Sequence, residues 1–306
     1  MHLPLNALLL ILLGALCHAT WNIYSKRTAT KDVSPTAFIW AGNLVSLIVF
    51  APLVVQNLWQ DARSWSALTW GLIVLSATLH QLYSVLLQQG YRHADYGVVY
   101  PLARGSGAMF ASLLVIVLLS EWPQARQWLG LGFIITGIFV VAGIRSLLQA
   151  MSQPTKDARL FSGLRYGVGI GGLIAAAYTV VDGFAVKRLA LPALTYYWTG
   201  ILVRTLLISP WALRRPAGLP LLQHTIALTW AAPYRRSIVA VGILSPLAYW
   251  LALLAAQRAP VSFVAPLREV SMLFAMLLGT WLLKEKQPMS RIGGAVLMVA
   301  GIYFLI

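Results

Sequence analysis

The chain has 306 residues, of which 59% are hydrophobic and only 10% charged. Soluble globular domains carry about 25% charged residues, so this composition excludes a water-soluble enzyme, a secreted disulfide scaffold and a disordered chain. Its 23 Lys and Arg against 8 Asp and Glu give a net charge of +15, and Cys17 is the single cysteine, which excludes an intrachain disulfide and a cysteine-based zinc site.

The remaining class is an all-α integral membrane protein. A helix crosses a bilayer with about 20 mostly apolar residues. Ten such stretches follow in order, at 5–24, 36–55, 66–87, 98–119, 128–148, 164–186, 193–213, 236–256, 261–283 and 292–306. The first lacks a basic region before it and has nine more behind it, so it is read as a retained helix, not a signal peptide. Trp122, Trp128, Trp211, Trp230 and Trp281 fall near span ends, where an aromatic belt belongs. The longest connections, 145–163 and 214–235, are too short for a catalytic domain, and no lysine sits in a P-loop context. An enzyme is therefore not expected, nor a nucleotide-driven pump, a metal or a cofactor.

Basic residues collect in cytoplasmic loops. Fifteen Lys and Arg fall on one side of the ten spans, five on the other, and Arg104, Arg204 and Arg268 within them. This places the richer side in the cytoplasm and both termini in the periplasm. The +15 then records topology, and nucleic acid is not an expected partner; the partners are the bilayer and a small-molecule substrate, for a monomer or homodimer.

The chain also repeats itself. Val99-Tyr100-Pro101-Leu102 matches Val264-Ala265-Pro266-Leu267, then Phe110 matches Phe274, Glu121 Glu285, Gly130 Gly294 and Gly137 Gly301; Lys26-Arg27 matches Lys187-Arg188. The units are 1–150 and 164–306, joined by a linker at 151–163. Five spans per unit reverse the second copy, giving two inverted five-helix repeats. Secondary transporters use this construction, with substrate at mid-membrane between the halves.

His18-Ala19-Thr20-Trp21-Asn22, closing on Lys26, resembles the opening motif of the EamA family of the drug/metabolite transporter (DMT) superfamily. The Pro-Leu pairs, Glu121 and Glu285, and the glycine-rich fifth and tenth spans also fit, in two tandem units covering the chain. The resemblance implies a bacterial inner-membrane carrier of small metabolites, often an exporter. It does not choose among amino acids, sugars, nucleotide derivatives and drugs. A flippase for a lipid-linked substrate and a non-transporting receptor are the alternatives.

Charges deep in a span are costly, about 2.5–3.5 kcal/mol each on insertion scales. Arg104, Arg204, Arg268 and Glu269 are such charges, with Asp182 nearer the end of its span and toward its aqueous boundary. Arg104 and Glu269 hold matching places in the repeat, each three residues after its proline, Pro101 and Pro266, where a helix can open. They are expected to pair across the pseudo-two-fold axis. Arginine binds carboxylate and phosphate through a planar fork. Three arginines against one clear acid therefore suggest an anionic or carboxylate-bearing solute: an amino acid, an organic acid or a phosphonate-like compound. Tyr100, His18, Asn22 and Gln81 lie on polar stripes that would line its path, with His80 beside Gln81. Glu269 and Asp182 are the candidates for proton coupling, including proton-coupled efflux.

Overall fold

The computed structural model describes residues 3–28, 35–93, 96–142, 148, 164–213, 232–283 and 289–306. Within them the chain is helical. α1 is Leu5–Thr28, α2 Pro35–Ser64, α3 Ala67–His93, α4 Tyr96–Leu118 and α5 Ala125–Ala142. A π-helical stretch, Val168–Ala175, leads into α6, Ala176–Lys187. Then come α7 Ala193–Ala212, α8 Ala232–Arg258, α9 Val261–Leu267, α10 Ser271–Leu283 and α11 Met289–Leu305. α9 and α10 are one span interrupted by a 3₁₀ turn, Arg268–Val270, which begins two residues after Pro266.

Among the described residues, four helical stretches are long and apolar enough to cross a membrane: Leu5–Ser25, Thr36–Ser64, Tyr234–Arg258 and Val261–Leu278. Leu102–Leu118, Ala125–Val141 and Arg291–Leu305 are shorter apolar helices. Helix is present at each of the ten expected positions, with ends that shift: the second and third run past their apolar runs to Ser64 and His93. Trp122, Trp128 and Trp211 are exposed near helix ends, while the structure of Trp230 and the side chain of Trp281 lie outside the described residues. The linker at 151–163 also lies outside them.

The packing exchanges the two halves. α1 lies on α8 as α3 lies on the α6 segment, and α2 lies on α7. α5 and α11 form the closest joint. A Cβ on Gly130 would stand 2.9 Å from the Gly301 carbonyl, and one on Gly301 2.7 Å from the Gly130 carbonyl. Gly137 and Gly294 repeat the relation at 2.7 and 2.9 Å. Gly130 thus meets the repeat counterpart of Gly137, and Gly137 that of Gly130. The two helices are antiparallel, with a two-fold axis between them, as in an inverted repeat. Small residues permit this backbone approach where lipid supplies no hydrophobic drive between helices.

Polar side chains on the helices are largely satisfied within them. Ser46, Ser84, Ser112, Thr179, Thr199, Thr205 and Ser209 each donate to the carbonyl four residues back. A hydroxyl so spent costs little in an apolar surrounding. The side chains that are not spent this way gather at the centre and at one end.

Candidate functional site

Arg104 projects from the middle of α4 toward the turn that breaks the ninth span. Its Nε stands 3.1 Å from Glu269 Oε2, and both side chains are largely buried. The approach lacks hydrogen-bond alignment at those two atoms. Arg104 Nη2 also lies 3.2 Å from His18 Nε2 on α1. A guanidinium has only donors, so His18 Nε2 is the acceptor and the ring is neutral with its proton on Nδ1. Trp21 meets the His18 ring edge-on at 5.0 Å. Three helices from both halves therefore converge on one guanidinium.

Asp182, late in α6, does not face water: it is 1% exposed, at the meeting of α3, α6, α7 and α8. Tyr196 Oη donates to its Oδ1 at 2.7 Å, Tyr249 Oη donates to Oδ2, and His80 Nε2 stands 3.1 Å from Oδ2. Its position late in α6 is countered by the packing of three other helices around it. His80 stacks on Tyr178 with centroids 4.0 Å apart, and Tyr249 tilts against Tyr197 at 4.7 Å.

The remaining arginines sit on this aromatic group. Arg268 Cζ lies 4.6 Å above the Tyr249 ring and Arg204 Cζ 5.1 Å above that of Tyr197. Among the described residues neither guanidinium has a carboxylate within salt-bridge distance. Cation–π contact leaves the in-plane N–H groups available. A small cavity between α3 and α7 is lined by Ser76, His80, Tyr196, Tyr197 and Arg204.

The other expected site residues divide. Asn22 donates its amide to the His18 carbonyl of its own helix at 2.7 Å. Gln81 Nε2 and Trp21 Nε1 are buried donors without an acceptor among the described residues. Pro266 is buried near the end of α9, two residues before the 3₁₀ turn. The side chains of Tyr100 and Pro101 lie outside the described residues. Among the described residues no group of three or more His, Cys, Asp or Glu could hold a metal ion.

Sequence reasoning did not foresee one further cluster. Glu121, after α4, is 5% exposed. Its Oε1 accepts from Lys187 Nζ at 2.6 Å, and its Oε2 accepts from the Ser262 N–H at 2.9 Å and the Ser262 hydroxyl at 3.1 Å. Lys187 also donates to the Ala259 carbonyl at 2.9 Å. Glu121 thus caps the N-terminus of α9, where four backbone N–H groups lack helical partners and negative charge is favoured. Both residues stood out in the repeat comparison, but nothing in their spacing joined them. The repeat counterpart of Glu121, Glu285, lies outside the described residues, as does the side chain of Lys26.

Two like halves, antiparallel at their seam and enclosing charge in an apolar helical body, define a multi-pass membrane protein built for small-molecule passage. The model of the EamA-like transporter family matches residues 5–143 and again 167–306. The chain belongs to that family, within the DMT superfamily, whose members are small-molecule membrane transporters, not enzymes. No curated protein matches it. A solved crystal structure shares the fold, with a TM-score of 0.72 over 97% of this chain and 95% of that one, at 17% identity.

Proposed function

We propose that the protein is a secondary transporter of small anionic or carboxylate-bearing metabolites, working by alternating access across a bacterial inner membrane. In this reading all ten helical stretches cross the bilayer, both termini are periplasmic and one half rocks against the other. The observation that carries it is the placing of Arg204 and Arg268 over tyrosine rings, with Arg104 divided between Glu269 and His18. The in-plane N–H groups of Arg204 and Arg268, which meet no carboxylate among the described residues, suit a carboxylate, a phosphonate or the acid end of an amino acid. The buried donors Gln81 Nε2 and Trp21 Nε1 suit an acceptor-rich solute in the same way. Glu269 and Asp182 are the candidate coupling groups, one in the central pair and one in the aromatic group.

The test is uptake and counterflow in proteoliposomes with amino acids, organic anions and phosphonates as separate solutes. At least one anionic or zwitterionic solute is expected to exchange. A panel in which only cationic drugs move overturns the reading.

A further inference from the structure

We propose that His80, held by Asp182, is a proton-binding site linked to the arginines, so that proton and anion cross the membrane together in the same direction. The inference rests on the anion reading above and adds the sign of coupling to it.

The geometry assigns the tautomer first. Asp182 receives hydroxyl donors from Tyr196 and Tyr249, the arrangement of an acceptor-only carboxylate. The 3.1 Å contact with His80 Nε2 then places the ring proton on Nε2 and leaves Nδ1 as the proton acceptor. Imidazole is the side chain that changes charge between about pH 5 and 8. His80 lines the same cavity as Arg204, so its charge and a solute at that arginine share one space.

The groups facing His80 come from four elements. α6 supplies Asp182 and Tyr178, α7 supplies Tyr196 and Arg204, α8 supplies Tyr249, and the turn after α9 brings Arg268 over that Tyr249 ring. Three of these are ions. A positive charge on the ring would be attracted by the Asp182 carboxylate and repelled by the guanidinium of Arg204, which lines the same cavity. An anion bound on Arg204 and Arg268 cancels that opposition and adds a negative charge beside the ring. Anion binding therefore promotes proton binding at Nδ1, and by linkage a bound proton tightens anion binding to the same degree. Mutual promotion is the condition for cotransport. Exchange in opposite directions needs each ligand to weaken the binding of the other. The proton comes from water on the loading side and leaves to water on the other.

The experiment uses the full chain in liposomes containing the pH dye pyranine. Glutamate, succinate, methylphosphonate and isethionate are the probes, the last because its charge is fixed across the pH range. For any probe that moves, an outside-acid gradient of about one pH unit should speed uptake roughly 5-fold or more, the lower end of ordinary coupling between sites. The lumen should acidify as the probe enters. In His80→Gln and Asp182→Asn the ratio of uptake with and without the gradient should fall to about one; reading a ratio removes any general loss of rate. The wild-type direction of the dye signal decides the sign without either variant. Alkalinisation during uptake, a wild-type ratio of one or below, or a ratio that survives in both variants overturns the inference while leaving anion transport standing. Absence of flux for every probe overturns the anion reading, and this inference with it.

Discussion

The Glu121–Lys187 pair and the Arg104–Glu269 pair both join the first half of the chain to the second, yet they are finished to different degrees. At the end of the bundle, Glu121 receives three donors and Lys187 has a second acceptor, so each charge is met from more than one side. At the centre, Arg104 and Glu269 approach to 3.1 Å without hydrogen-bond alignment, and the guanidinium is shared with a neutral imidazole. A charge with a completed shell has nothing further to gain from a ligand and serves to fasten. A pair that approaches without alignment can gain from rearrangement or from an arriving solute. The same residue chemistry therefore divides into a fastener at one end and a receptive centre.

The largest expected effect is on the fastener. Lys187→Met leaves Glu121 buried without its counter-charge, and loss of one partner of a buried pair costs about 3–5 kcal/mol. Glu121→Gln should cost distinctly less, because the Gln oxygen still accepts from Ser262 and the Lys187 side chain, 30% exposed, can turn toward water. Thermal unfolding in detergent reads the difference. Equal and small losses in the two variants would remove Glu121–Lys187 from the role of fastener.

At the centre the effect should fall on flux instead. Arg104→Ala removes a charge-assisted contact worth about 1.5–3 kcal/mol, which corresponds to roughly a 10- to 100-fold loss of anion uptake. Arg104→Ala also takes the nearest counter-charge from Glu269, so the melting temperature should fall as well, but by less than in Lys187→Met, because the Glu269 side chain is 15% exposed against 6% for Glu121. Glu269→Gln should also slow uptake, by less, since the amide retains an oxygen for Arg104. Uptake equal to wild type in both variants, at normal protein level, would show the central pair to be structural.

How much of this was legible follows from how far each feature reaches along the chain. The helices are local, and runs of apolar residues announce them. Arg104 and Glu269 were brought together by repeat arithmetic, which carries information across the whole chain. Asp182 had no such aid. Its partners His80, Tyr196 and Tyr249 come from three other helices, and no repeat or spacing ties them to it. The Glu121–Lys187 contact was hidden for the same reason, although both residues were noted. The π stretch Val168–Ala175 reads as ordinary helix in sequence, because its signature is a hydrogen-bond register, not a composition.

The smallest expected effect tests the seam that makes any such comparison of halves meaningful. On α5, a Cβ at Gly137 would come within 2.5 Å of Met298 Cγ and 2.7 Å of the Gly294 carbonyl, whereas one at Gly132 meets nothing within 4 Å. Gly137→Ala therefore has to part α5 from α11, an overpacking cost of about 1–3 kcal/mol. Gly132→Ala has the opposite sign: it restricts the unfolded chain without a clash and should stabilise by about 0.4–1 kcal/mol. Paired thermal unfolding of the two variants reads both signs at once. Similar behaviour in the two would mean that the helices do not approach through Gly137 and Gly294, and the antiparallel seam would lose its main support.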